Sequence, residues 1–174
     1  MARFLRKINR MARWRDGATD QQWLEAGEIP ADPVCDFDTR DNCLSVYLVD
    51  SDIRTVEQLA AAFTATRDSL KDFEYITFDV QDVTDSGIQI AEVDGTTPDV
   101  ESNRLHRNLV AISAQKLVAL TARILHQGVA TSCDRVNRKV VAVHIVRGLE
   151  EGWLDAAKAN AHVLESAKKK AVSP

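Results

Sequence analysis

The residues of this chain that could act on a substrate fall into three groups. The first is acidic. Asp50 and Asp52 follow a β-favouring run, Leu44–Val49, and Asp79 and Asp82 lie at the end of a second. Carboxylates that converge at strand ends can bind Mg²⁺ and support phosphoester chemistry. Asp in such places also caps helices and solvates turns, because its carboxylate accepts free backbone N–H groups. Capping is the preferred reading of Asp50, Asp52 and Asp79, with the Mg²⁺ site as the alternative.

The second group is Arg138 and His144, in the run Arg-Lys-Val-Val-Ala-Val-His. Over these seven residues the chain resembles the Arg-x(4–6)-His element of HEPN-type ribonucleases. The resemblance implies an Arg/His pair acting on RNA phosphate, with His144 as the acid–base group, and it implies a helical setting. The density of β-branched residues points the other way, to a strand over Lys139–Val146, although Val136, Val140 and Val143 also fit helical spacing.

The third group is thiol chemistry. Cys133 stands near Arg135, but no His accompanies it, so an inert thiol is expected. Three cysteines (Cys35, Cys43 and Cys133) without close pairing are not a disulfide framework; they fit a reducing compartment, and a cytoplasmic location is expected. The four histidines lie far from the cysteines and from one another, so no metal is expected. Seven glycines, scattered singly, form no phosphate-cradling loop, and no cofactor is expected.

The net charge of −4 conceals an asymmetry. Residues 1–16 hold Arg3, Arg6, Lys7, Arg10, Arg13 and Arg15 against one carboxylate, Asp16. At 100° per residue, Phe4, Leu5, Ile8 and Met11 gather on one side and the cations on the other, which predicts a basic amphipathic helix ended by Gly17. Its expected contact residues are Phe4, Arg6, Lys7, Ile8, Arg10, Arg13 and Trp14. Docking on the acidic body or on a protein partner is the preferred reading. An anionic membrane surface, nucleic acid and organellar targeting are alternatives, and the acidic body disfavours nucleic acid.

The elements that would position these groups divide into a 1–16 arm, a 17–42 segment with a short helix (Thr19–Ala26) and a Pro- and Asp-rich linker, and a single α+β domain over 43–174. Within that domain Leu44–Val49 predicts a strand, Thr55 and Gln58 a capping box opening a helix from Val56 to Leu70, and Phe73–Val83 and Gly87–Val93 two further strands. A long helix is expected over Ser102–Gln127 with Gly128 as its stop, then the strand at Lys139–Val146 and a last helix from Glu150 to Lys168. The order βαββαβ is that of a ferredoxin-like split βαβ sheet, with an N-terminal amphipathic helix and an extra C-terminal helix. No apolar run is long enough for a transmembrane helix. Function is expected to be non-catalytic binding or regulation through protein–protein contact or self-association as a homodimer; the alternative is a small phosphoesterase or ribonuclease using the acids or the Arg138/His144 pair.

Overall fold

The computed structural model describes residues 2–19, 23, 25–49, 52–127 and 133–172. It is an α+β structure built on a six-stranded antiparallel sheet, ordered β4-β5-β2-β1-β3-β6. The strands are β1 (Arg3–Lys7), β2 (Leu44–Val49), β3 (Phe73–Asp79), β4 (Gln89–Glu92), β5 (His106–Val110) and β6 (Cys133–Val136). The eight helices of the described residues are α1 (Met11–Thr19), α2 (Ala31–Asp36), α3 (Val56–Thr64), α4 (Val80–Asp85), α5 (Val100–Arg104), α6 (Ala114–His126), α7 (Arg138–Glu150) and α8 (Ala161–Val172).

The chain forms two compact units. The first gathers residues 1–50, 74–93 and 107–134. Its core holds Phe4, Ile8, Trp14, Phe37, Val46, Phe78, Leu109, Leu120 and Ile124, drawn from strands and helices along the whole unit. Trp14 meets Phe37 edge-on at 5.2 Å between ring centroids, and Phe37 meets Phe78 at 6.4 Å. A carboxylate is enclosed beside these rings. Asp36 is 1% exposed; it accepts the Trp14 indole N–H at 3.0 Å and the Asn9 backbone N–H at 3.1 Å, and Arg13 stands 3.8 Å away.

The second unit gathers residues 51–73, 94–106 and 135–174. Here α7 packs against both α3 and α8. The loop before α5 is tied down by Asp99, which is 1% exposed. Its carboxylate takes both Arg54 nitrogens, at 2.7 and 3.0 Å, and the Ser102 hydroxyl at 2.5 Å. Burial alone would raise the Asp99 pKa; the hydrogen bonds from Arg54 and Ser102 outweigh it and hold the carboxyl below its ordinary value. The Arg54 guanidinium also lies 5.2 Å from the centre of the Trp153 ring.

Several expectations from sequence are corrected. The basic arm is not one helix: Arg3–Lys7 is a strand paired on both sides, with β2 (Arg3↔Val49) and β3 (Arg3↔Asp79), and α1 follows. Two turns of helical periodicity carry less weight than two ladders of backbone hydrogen bonds. Gly17 does not stop α1, which runs to Thr19. The short helix expected over Thr19–Ala26 falls largely on residues 20–22 and 24, outside the described residues, as does Gly128.

The run Lys139–Val146 is helix, not strand. Asn137 Oδ1 accepts the N–H groups of Lys139 and Val140 at 3.1 and 3.0 Å, and Val141, Ala142, Ile145 and Gly148 form one buried stripe. The long helix over Ser102–Gln127 is broken into α5, β5 and α6. Ala111 takes the left-handed conformation (φ 56°), and the Ser113 hydroxyl caps α6 through the Lys116 N–H. The strand from Phe73 stops at Asp79, where α4 begins. The helix from Val56 opens on the expected Thr55/Gln58 box but ends at Thr64. The final helix starts at Ala161, because Gly152 (φ 77°) and a 3₁₀ turn at Ala156–Lys158 follow α7.

Trp14→Phe keeps most of the ring but removes one donor from a buried carboxylate. It should lower unfolding free energy by about 1–3 kcal/mol, read from urea melts. A loss under about 0.5 kcal/mol, the level of an ordinary surface change, would show that this bond does not matter.

Candidate functional site

The acids at the sheet end are structurally employed. Because β2 and β3 both pair antiparallel with β1, their C-terminal ends flank the same residue, Arg3. Arg3 donates to Thr77 Oγ1 and lies 3.8 Å from Asp79. The Asp79 N–H donates to Asp82 Oδ2 at 3.3 Å, and the same oxygen accepts Gln127 Nε2 at 2.8 Å. Asp85 binds Arg123 at 3.1 Å. These contacts start α4 and fasten it to α6. Asp52 is exposed, and Asp50 lies outside the described residues. Among the described residues, no group of three or more His, Cys, Asp or Glu side chains is placed to hold a metal ion.

Arg138 and His144 share helix α7 but not a face. Six residues advance a helix by about 600°, leaving the two side chains roughly 120° apart. The helix itself matches the setting of the HEPN-type element, but it belongs to a chain whose other unit is built on a sheet. His144 Nδ1 is buried without a hydrogen-bond partner among the described residues.

The arm residues are divided by their place in the fold. Phe4, Ile8 and Trp14 are buried in the first core. Arg6 donates to the carbonyls of Ser45 and Phe37 (both 3.0 Å), Lys7 is half-buried, and Arg10 is exposed.

The structure places Arg138 in different company, in a cleft of about 350 Å³ within the second unit. Ser69 and Leu70 line it from the loop after α3, Arg138 from the first turn of α7, and His162, Ser166 and Lys170 from α8. The last three stand at i, i+4 and i+8, one stripe of a helix whose other side buries Val163 and Ala167. Asn160 Oδ1 accepts the His162 N–H at 3.0 Å and fixes the start of that helix. The wall therefore carries two permanent cations, an imidazole and two hydroxyls, with no carboxylate among its residues. Among the described residues, neither the Arg138 guanidinium nor the Lys170 ammonium has a carboxylate within 4 Å.

The backbone at the head of α7 is already satisfied. Asp72 Oδ1 accepts the Arg138 N–H at 2.8 Å, and Asn137 serves the next two N–H groups. Arg135 lies 3.6 Å from Asp72 and offsets its charge. Any anion in the cleft is thus a matter for side chains, not for the helix terminus. The His162/Ser166/Lys170 stripe was present in the sequence as a spacing of four, but without a neighbouring element it was indistinguishable from a solvated helix face.

The thiols separate by environment. Cys35 is exposed and Cys43 half-buried, whereas burial pushes the Cys133 thiol up to about 11. No helix among the described residues is long and apolar enough to cross a membrane. No family model, no curated protein and no solved structure matches the chain.

A maleimide pulse at pH 7.5 should modify Cys35 in the native protein and leave Cys133 untouched until denaturant is added, read by peptide mass. The same burial sets a pH trend. The unfolded thiol ionises near its ordinary 9.0 and the folded one near 11, so stability holds below 9.0 and falls as pH rises between the two values.

Proposed function

We propose that this chain is a non-catalytic binding and regulatory domain, and that it takes an anionic ligand at the Ser69–Arg138–His162–Ser166–Lys170 cleft. The observation that carries this reading is the composition of the cleft wall: cations and hydroxyls without a carboxylate. Such a wall favours an anion held in place. Metal-assisted chemistry would draw on carboxylate ligands, and the acids at the sheet end are engaged in starting and fastening α4. Three free cysteines support a cytoplasmic setting.

Self-association is a second contact, favoured by a separate observation. β4 ends the sheet, so one side of Gln89–Glu92 faces no strand among the described residues. An open edge recruits another strand. In a two-fold antiparallel pair, Gln89 of one copy stands opposite Glu92 of the other. On the fold, β2 and β3 run parallel with β1 between them, and we read this as the split βαβ unit of a ferredoxin-like plan.

Two measurements test these readings. Purified protein with Mg²⁺ should turn over no substrate on a phosphatase and nuclease panel; turnover lost on Asp79→Ala or on Arg138→Ala would replace binding with catalysis. Light scattering should give twice the 19.3 kDa chain mass, and Gln89→Lys with Glu92→Lys, which sets Lys against Lys across the edge, should return the mass to one chain. A wild-type monomer at the same concentrations removes the edge contact.

A further inference from the structure

We infer that the anion taken by this cleft is the phosphoryl group of a small organic phosphate monoester. The inference rests on the reading of the cleft as the contact site and narrows it to a ligand class. It begins with charge. A monoester carries between one and two negative charges near neutral pH and presents three acceptor oxygens. Arg138 offers a planar fork of donors and Lys170 a point charge with three. The hydroxyls of Ser69 and Ser166 can each donate one bond more. Neither serine hydroxyl, and neither cation, is engaged by a hydrogen-bond partner or carboxylate among the described residues. A phosphoryl group can therefore be received without breaking an existing pair.

Size selects the rest of the ligand. At about 350 Å³ the cleft is at the lower end of small-molecule sites. It has room for more than a bare phosphate. The additional room is not uniformly polar, because Leu70, half-buried, is the apolar member of the wall. A compact organic group bonded to the phosphate fits against Leu70 while its oxygens face α7 and α8.

The surroundings reinforce the choice. Residues 67–72, 135–139 and 162–170 hold eight Lys and Arg and three carboxylates, in a chain of net charge −4. One of those carboxylates, Asp72, is occupied by Arg135 and by the head of α7. These three segments are thus basic within an acidic chain.

Isothermal titration of the full chain with phenyl phosphate and with inorganic phosphate tests the inference. Phenyl phosphate should bind saturably, at one site, and more tightly than inorganic phosphate. Arg138→Gln and Lys170→Gln should each weaken both by at least tenfold, with the fold checked by circular dichroism. Leu70→Ala should erase the advantage of phenyl phosphate and leave inorganic phosphate unchanged. Lys158→Gln, a cation outside the cleft, should change neither. Saturable binding indifferent to Arg138 and Lys170 would overturn the inference. If phenyl phosphate fails to bind but an acidic Glu-rich peptide binds with the same dependence on Arg138 and Lys170, the phosphate class is wrong and the anion-binding reading stands. If no anion depends on those residues, both fall.

Discussion

The first unit depends on Arg3–Lys7 being paired along both edges. A strand inside a sheet can satisfy its backbone N–H and C=O groups only if both neighbours are in place. Here those neighbours are β2 and β3, and the Ala2 carbonyl continues the arrangement by accepting the Val80 N–H at 3.1 Å. The chain then turns at Asn9 into α1, and that turn is held by Asp36. A carboxylate with almost no exposure is tolerable only when its lone pairs are filled. Asn9 and Trp14 fill them, and Arg13 compensates the charge. The same contact delivers Trp14 to Phe37 and Phe37 to Phe78, so a single polar anchor sets the geometry of the aromatic core.

How much of this was legible in sequence depended on where the deciding signal lay. Leu44–Val49, the strand opening at Phe73, the Gln89–Glu92 return and the Thr55/Gln58 box were legible because composition and short-range hydrogen bonding agree there. Lys139–Val146 was not, since its valines satisfy both periods and the arbiter is one side chain upstream, Asn137. The break at Ala111 was hidden because nothing about an alanine announces a left-handed backbone. The arm misled for a different reason: its arginines read as one helix face, while the pairing that makes it a strand comes from residues far along the chain. At the cleft, Arg138 was visible as a residue with chemistry, but its companions Ser69, His162, Ser166 and Lys170 are assembled by tertiary packing.

Net charge was a poor guide to where the chain is basic. The obvious cations lie at the N-terminus, and there Arg3, Arg6 and Arg13 are bound to neighbouring groups. Lys168, Lys169 and Lys170 look in sequence like a complement to a helix dipole, yet Lys170 lines a concavity opposite Arg138. Fields in physiological salt reach about 8 Å. An acidic chain can therefore carry a basic site whenever its cations are close together and its acids, like Asp72 and Asp99, are each already engaged.

The central position of β1 also has a consequence in time. Arg3 and Thr77 are 74 residues apart, and a ribosome adding 5–20 residues per second needs roughly 4–15 s to cover that distance. Until β2 is made neither flank of the Arg3–Lys7 strand is matched, and until β3 is made one flank stays unmatched. The strands beyond these, β5 beside β2 and β6 beside β3, come later still. β1 therefore waits long for its second neighbour, yet is enclosed before β2 and β3 are, and contacts of such long sequence separation fold slowly. The period of greatest exposure to aggregation falls during synthesis, when a chaperone able to hold the short apolar and basic segment from Arg3 to Ile8 would have the most effect.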